Sequence, residues 1–141
     1  PRGIRGVAGL TRATRYGSIA GYHARADEEI CLLVQVETKE ALQHIEAIAA
    51  VDGVDGIFIG PADLAASMGH PGNVGHKDVK AAVIDAIRRI RAAGKPAGIL
   101  SLDSELMNAA VEAGSIFTAV DVDAAILLRG ARELVRKWKG A

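Results

Sequence analysis

Four apolar runs, centred near residues 33, 57, 99 and 118, are each followed by a segment whose apolar residues recur at helical spacing. This alternation constrains the fold more than any other feature of the chain. Strands that alternate with helices run parallel and are joined by right-handed crossovers. Four such units build either a small open α/β sheet or half of an eight-unit barrel. In both, ligands gather at the carboxyl edge of the sheet.

In chain order, residues 1–29 are rich in glycine and arginine (Arg2, Arg5, Arg12, Arg15, Arg25) and read as a loop with a short helix over 10–16. Those arginines fit a solvated loop better than an anion site. Residues 30–36 form a continuous apolar run, as in a strand covered on both faces. Residues 38–50 place Ala41, Leu42, Ile45, Ile48 and Ala49 at helical spacing. Asp52-Gly53 signals a turn into a second strand, 54–59, and Pro61 suits the first position of a helix. Residues 70–73 form a loop. Residues 78–93 form an amphipathic helix with Val79, Val83, Ile87 and Ile90 on one face, closed by Gly94. Its late arginines, Arg88, Arg89 and Arg91, complement the helix dipole and do not require nucleic acid. A third strand spans 96–102, and Asp103 or Ser104 caps a helix that turns Leu106, Met107, Ala110 and Val111 inward. A fourth strand spans 116–120. The last helix, 123–138, aligns Leu127, Ala131, Leu134 and Trp138 on one stripe, which makes Trp138 and Met107 core residues.

Composition narrows the function classes. Apolar residues make up 50% of the 141 and aromatics only 4%, so the core is built from Ala, Val, Ile and Leu, as in α/β proteins. Lys plus Arg equal Asp plus Glu at 17 each, which favours neither nucleic acid nor an anionic membrane as partner. The single Cys31 lies in an apolar run and reads as core filling in a reducing compartment. No run approaches the roughly 20 apolar residues of a membrane span, so the reading is of a cytoplasmic protein. The chain opens Pro1-Arg2-Gly3 without methionine and reads as the remainder of a longer polypeptide. No GxGxxG or GxxxxGK[ST] follows any strand, leaving dinucleotide and P-loop functions unsupported.

Two acids stand where such a sheet places its ligands. Glu37 closes the first apolar run, and Asp63 follows the second. Parallel strands bring both to one edge, and a pair of carboxylates there suits a hard divalent cation held by oxygen. Each acid alone is equally well explained as a residue that starts the following helix.

Residues 32–37 (LLVQVE) and 54–64 (VDGIFIGPADL) resemble the metal-dependent 4-hydroxy-2-oxoheptanedioate and 2-keto-3-deoxy-sugar-acid (2-keto-3-deoxy-L-rhamnonate-like) aldolases, a family of class II pyruvate aldolases. Residues 2–7, 67–73, 90–95 and 118–123 add to the similarity, which runs essentially end to end. The resemblance implies strands five to eight of a (β/α)8 TIM barrel, so that 1–141 is a partial barrel domain with the strand–helix units in 30–141. It implies Glu37 and Asp63 as ligands of Mg²⁺ or Mn²⁺, with Co²⁺ as a substitute. It places Gln35, the backbone at Ala62, and Asp63 against the substrate. The implied activity is formation or cleavage of a 2-oxo acid from pyruvate and an aldehyde through a metal-stabilised enolate. A homo-oligomer, commonly a hexamer, is implied as well.

The resemblance puts the histidine base, its supporting aspartate and the pyruvate-binding arginine on the first half of the barrel. His23, His44, His70 and His76 do not match that motif, and the loop histidines read as solvated. Asp121 stands where the family usually has glycine. Residues 101–103 fall on the rim expected to select the aldehyde. Two alternatives stand beside the aldolase. One is a carbon–carbon lyase acting on acyl-CoA thioesters, of the citrate lyase β-subunit or malyl-CoA lyase type. The other is a non-catalytic α/β module that assembles with another chain. A half-barrel is also expected to expose strand edges and half of its apolar interior.

Overall fold

The computed structural model describes residues 4 and 6–140, which divide into two compact units, one ending at Cys31 and the other beginning at Leu32. Pro1, Arg2, Gly3 and Arg5, named in the sequence reading, lie outside the described residues.

In the first unit the helix is not where periodicity placed it. Residues 10–16 form turns, and helix α1 spans Tyr22–Glu29. Thr14 explains the difference. Its buried hydroxyl accepts hydrogen bonds from the Gly17 N–H (3.0 Å) and the Thr11 N–H (3.3 Å), with the Gly9 carbonyl 2.7 Å away. A hydroxyl that satisfies neighbouring backbone in this way competes with a helix. Helix α1 (YHARADEE) carries no apolar stripe and buries no residue, so it left no periodic signal.

The second unit is a four-stranded parallel sheet in the order β1 (Leu33–Val36), β2 (Gly56–Ile59), β3 (Ala97–Leu100), β4 (Ser115–Ala119). Between the strands run a 3-10 turn, Ala41–His44, followed by α2 (Ile45–Ala49), then α3 (Pro61–Ser67) and α4 (Lys77–Ala92), and then α5 (Ser104–Glu112). Helix α6 (Asp123–Lys139) follows β4. The alternation is that of consecutive (β/α) units.

One face of the sheet carries the core. Val36, Ile57, Ile59, Ala97 and Ile99 are buried against Ile45, Leu64, Val79, Val83, Ile87, Ile90, Leu106 and Ala110 from the helices. Each Val, Ile or Leu among them stabilises the fold by about 1.5–3 kcal/mol when withdrawn from water. The stripe read on α4 is borne out, since Val79, Val83, Ile87 and Ile90 are all fully buried. Pro61 opens α3 at its first position. Gly53 and Gly94 adopt positive φ (85° and 80°) at the turns assigned to them, a conformation that costs glycine least. Asp103 caps α5, accepting from the Glu105 and Leu106 N–H groups.

Four expectations are corrected. The first strand starts at Leu33 instead of residue 30 and is an edge of the sheet, so Leu33 and Gln35 are exposed instead of covered on both faces. Cys31 precedes the strand and is exposed, not core. Val111 falls outside the buried stripe of α5, which comprises Leu106, Met107 and Ala110. Helix α6 is amphipathic as read, but it buries no residue, and Trp138 is 75% exposed. Periodicity shows that a helix has an apolar face and not what covers it. On the open face of the sheet Phe117 is 55% exposed, as expected of an uncovered half-barrel interior.

Candidate active site at the carboxyl edge of the sheet

The parallel register aligns Val36 with Ile59 and Ile59 with Ile99, so the residues just past β1, β2 and β3 share one edge. A cavity of about 650 Å³ opens there. Gln35 of β1 and Glu37 just past it line the cavity, with Gly60, Ala62 and Asp63 around the start of α3, and Ser101 and Asp103 just past β3. Residues 72–75 form a further wall. The structure therefore brings Glu37 and Asp63 to one cavity, as the strand–helix–strand reading expected, and Gln35 and Ala62 line the same cavity.

Close packing at β1 and β2 creates the space for Glu37. The Gly60 N–H bonds to the Val36 carbonyl at 3.2 Å, and a Cβ built on Gly60 would stand 2.8 Å from Glu37 Oε2. The φ of Gly60 is −100°, so glycine is required here for room and not for conformation. The Gln35 amide donates to Glu37 Oε2 at 3.3 Å and orients the carboxylate. Among the described residues no lysine or arginine forms an ion pair with Glu37 or Asp63. Two carboxylates beside a cavity with no counter-cation form a donor set suited to a hard divalent ion.

The apolar side of the cavity comes from Phe58, Leu100 and Leu102. Phe58 meets Phe117 edge to face, with centroids 5.8 Å apart, across Gly98. A Cβ at Gly98 would stand 2.6 Å from Phe58 Cδ2 and 2.9 Å from the Phe117 carbonyl, so only glycine lets the two rings close over this point of the sheet.

Asp103 is fully occupied. Besides capping α5, it pairs with Lys80 at 3.0 Å, and that ammonium, ahead of the backbone N–H donors, holds its carboxyl below the usual range. Ser101 is buried and accepts the Asp103 N–H at 3.1 Å. Asp121 does not line the cavity. Arg129 binds its carboxylate, and the Val122 N–H adds a 2.8 Å hydrogen bond. The Arg129 partner in particular keeps the Asp121 carboxyl below its ordinary range.

The sequence reading missed one cluster. His70 and His76 stack with ring centroids 3.6 Å apart, and Asp78 lies beside them.

Comparison with known proteins extends this geometry. The family model described as HpcH/HpaI aldolase/citrate lyase matches residues 1–129. The chain belongs to this family. It is 58% identical over 138 residues to the hydroxypyruvate/pyruvate aldolase of Sagittula stellata, covering 98% of this chain and 54% of that protein. It is 50% identical to the 4-hydroxy-2-oxo-heptane-1,7-dioate aldolase of Klebsiella pneumoniae, covering 98% of this chain and 52% of that protein. The solved HpcH/HpaI family protein of Burkholderia cenocepacia superposes with a TM-score of 0.86 at 38% identity, covering 99% of this chain and 54% of its own. The chain thus spans about half the length of the relatives it matches. Its four parallel (β/α) units are a part of the HpcH/HpaI barrel fold, as the sequence reading had it.

Proposed function

We propose that the chain is the strand-five-to-eight half, residues 1–141, of a class II aldolase that forms or cleaves a 2-oxo acid, with pyruvate or a 3-hydroxy derivative as one partner and an aldehyde as the other. The observation that supports it best is the pair Glu37 and Asp63 on one cavity without a counter-cation, in a chain related over its whole length to proteins named as aldolases. Glu37 and Asp63 would hold the divalent ion, Mg²⁺ or Mn²⁺, which supplies Lewis acidity toward the 2-oxo group when bound. Gln35 fixes the Glu37 carboxylate and faces the substrate. The Ala62 N–H stands at the second position of α3, among the amides a helix leaves unpaired, and receives the substrate carboxylate. Phe58, Leu100 and Leu102 keep water from one side of the reacting carbons.

None of His23, His44, His70 and His76 lines the cavity. Proton transfer at C3 is assigned to a histidine on the first half of the barrel, as the resemblance implies. The exposed apolar stripe of α6 supports a homo-oligomer, with the hexamer as the working assembly. No helix among the described residues is long and apolar enough to cross a membrane, which is compatible with a cytoplasmic enzyme.

The test is turnover by the full-length protein of pyruvate with a panel of short aldehydes, with metal, with chelator, and as Glu37→Gln. Condensation that needs metal and Glu37 supports the proposal. Cleavage of an acyl-CoA thioester in place of condensation would transfer the site to the lyase alternative.

A further inference from the structure

We propose that His70, His76 and Asp78 form a second metal site, for a borderline divalent cation such as Zn²⁺, which fastens the two ends of the segment walling the cavity. The ligand atoms of the three residues all lie within 4.8 Å of one another. His76 Nδ1 stands 3.8 Å from Asp78 Oδ2. In a tetrahedral zinc site with bonds of about 2.0–2.1 Å, ligand atoms stand about 3.3 Å apart. Closing to that value requires the two stacked rings to turn so that their nitrogens converge on one ion, with the exposed Asp78 carboxylate completing the set. No lysine or arginine among the described residues pairs with Asp78.

The donor set decides the class of ion. Two imidazoles and one carboxylate favour zinc, nickel or copper over magnesium or calcium, in contrast to the all-oxygen pair at Glu37 and Asp63. His76 Nδ1 accepts the Asp78 N–H at 3.3 Å, a long hydrogen bond that a metal ion bound at this nitrogen would replace. Three protein ligands leave a fourth position for water.

The backbone explains why the histidines meet. His70 N–H bonds to Ala65, Asn73 N–H to His70 and His76 N–H to Asn73, so that successive turns fold residues 70–76 back on themselves. The tip of that fold, residues 72–75, is a wall of the cavity. An ion at the base therefore restrains the wall without touching the substrate.

The test is a Zn²⁺ titration of the ¹⁵N-labelled protein, read at the imidazole resonances, beside His70→Phe, which keeps a ring for stacking and removes its nitrogens. The expected result is that His70 and His76 shift together at one equivalent while His23 and His44 do not. Zinc affinity should fall at least about tenfold in His70→Phe, and the imidazole response should persist in Glu37→Gln, which separates this site from the proposed aldolase site. Amide exchange across 71–77 should slow on zinc addition. Unmoved His70 and His76 resonances in the parent would overturn the proposal even if the variant fails to fold. Undiminished zinc binding by a folded His70→Phe would overturn it too.

Discussion

Gly60 packs against Glu37 so closely that a methyl group on its α-carbon would stand 2.8 Å from Glu37 Oε2 and 3.0 Å from Glu37 Cβ. The second strand is thus followed by a residue whose lack of a side chain sets the position of the carboxylate just past the first strand. Gly60→Ala should leave the fold intact, since its φ of −100° suits any residue. The carboxylate must move, and Mn²⁺ affinity should fall about tenfold or more. Calorimetry beside a thermal melt checks both parts. An alanine variant that binds metal like the parent would contradict the geometry.

Asp103 joins two elements, capping α5 and pairing with Lys80 of α4. Asp103→Ala should cost about 1 kcal/mol, the usual loss for an N-cap. Asp103→Asn keeps a capping oxygen and should cost less while abolishing the dependence on Lys80. Denaturant unfolding of the two variants beside Lys80→Met tests this division.

Glu46 on α2 makes a two-pronged ion pair with Arg89 on α4, at 2.7 and 2.6 Å. The Arg89 guanidinium, chiefly through these hydrogen bonds, lowers the Glu46 carboxyl from 4.5 to about 2. A carboxyl lowered by folding adds stability above its unfolded value, lost as pH falls from about 4.5 toward about 2. The pair is solvent-exposed, so its contribution is small and screened by salt. In Arg89→Met the Glu46 titration followed by NMR should return toward the ordinary carboxylate range, and acid unfolding should begin at higher pH.

Ile87 is fully buried on the inward stripe of α4. Ile87→Ala should destabilise by about 2–5 kcal/mol, the cost of lost burial plus the cavity left behind. Urea unfolding checks the value, and a change under about 1 kcal/mol would mean that α4 does not carry the core.

The parts of the fold legible in the sequence were those with local signatures. The stripe Val79–Val83–Ile87–Ile90, the proline opening α3 and the cap at Asp103 each act through neighbours a few residues away. Glu37 and Asp63 were legible as a pair because parallel strands must finish on one edge. What escaped depends on distant or irregular contacts. Trp138 has a helical stripe behind it, yet nothing in that spacing states whether a partner covers it. Cys31 reads as core only if pairing starts at residue 30, and pairing starts at Leu33. The approach of His70 to His76 arises from consecutive turns, and no spacing rule announces it.

The most direct test of the central claim is a calorimetric Mn²⁺ titration of the protein beside Glu37→Gln and Asp63→Asn. The expected result is one Mn²⁺ bound by the parent, with affinity reduced about tenfold or more in each variant while both retain the parent's circular dichroism. Mn²⁺ binding undiminished in both variants, or absent from the full-length parent, would contradict the assignment of these two acids as the metal centre.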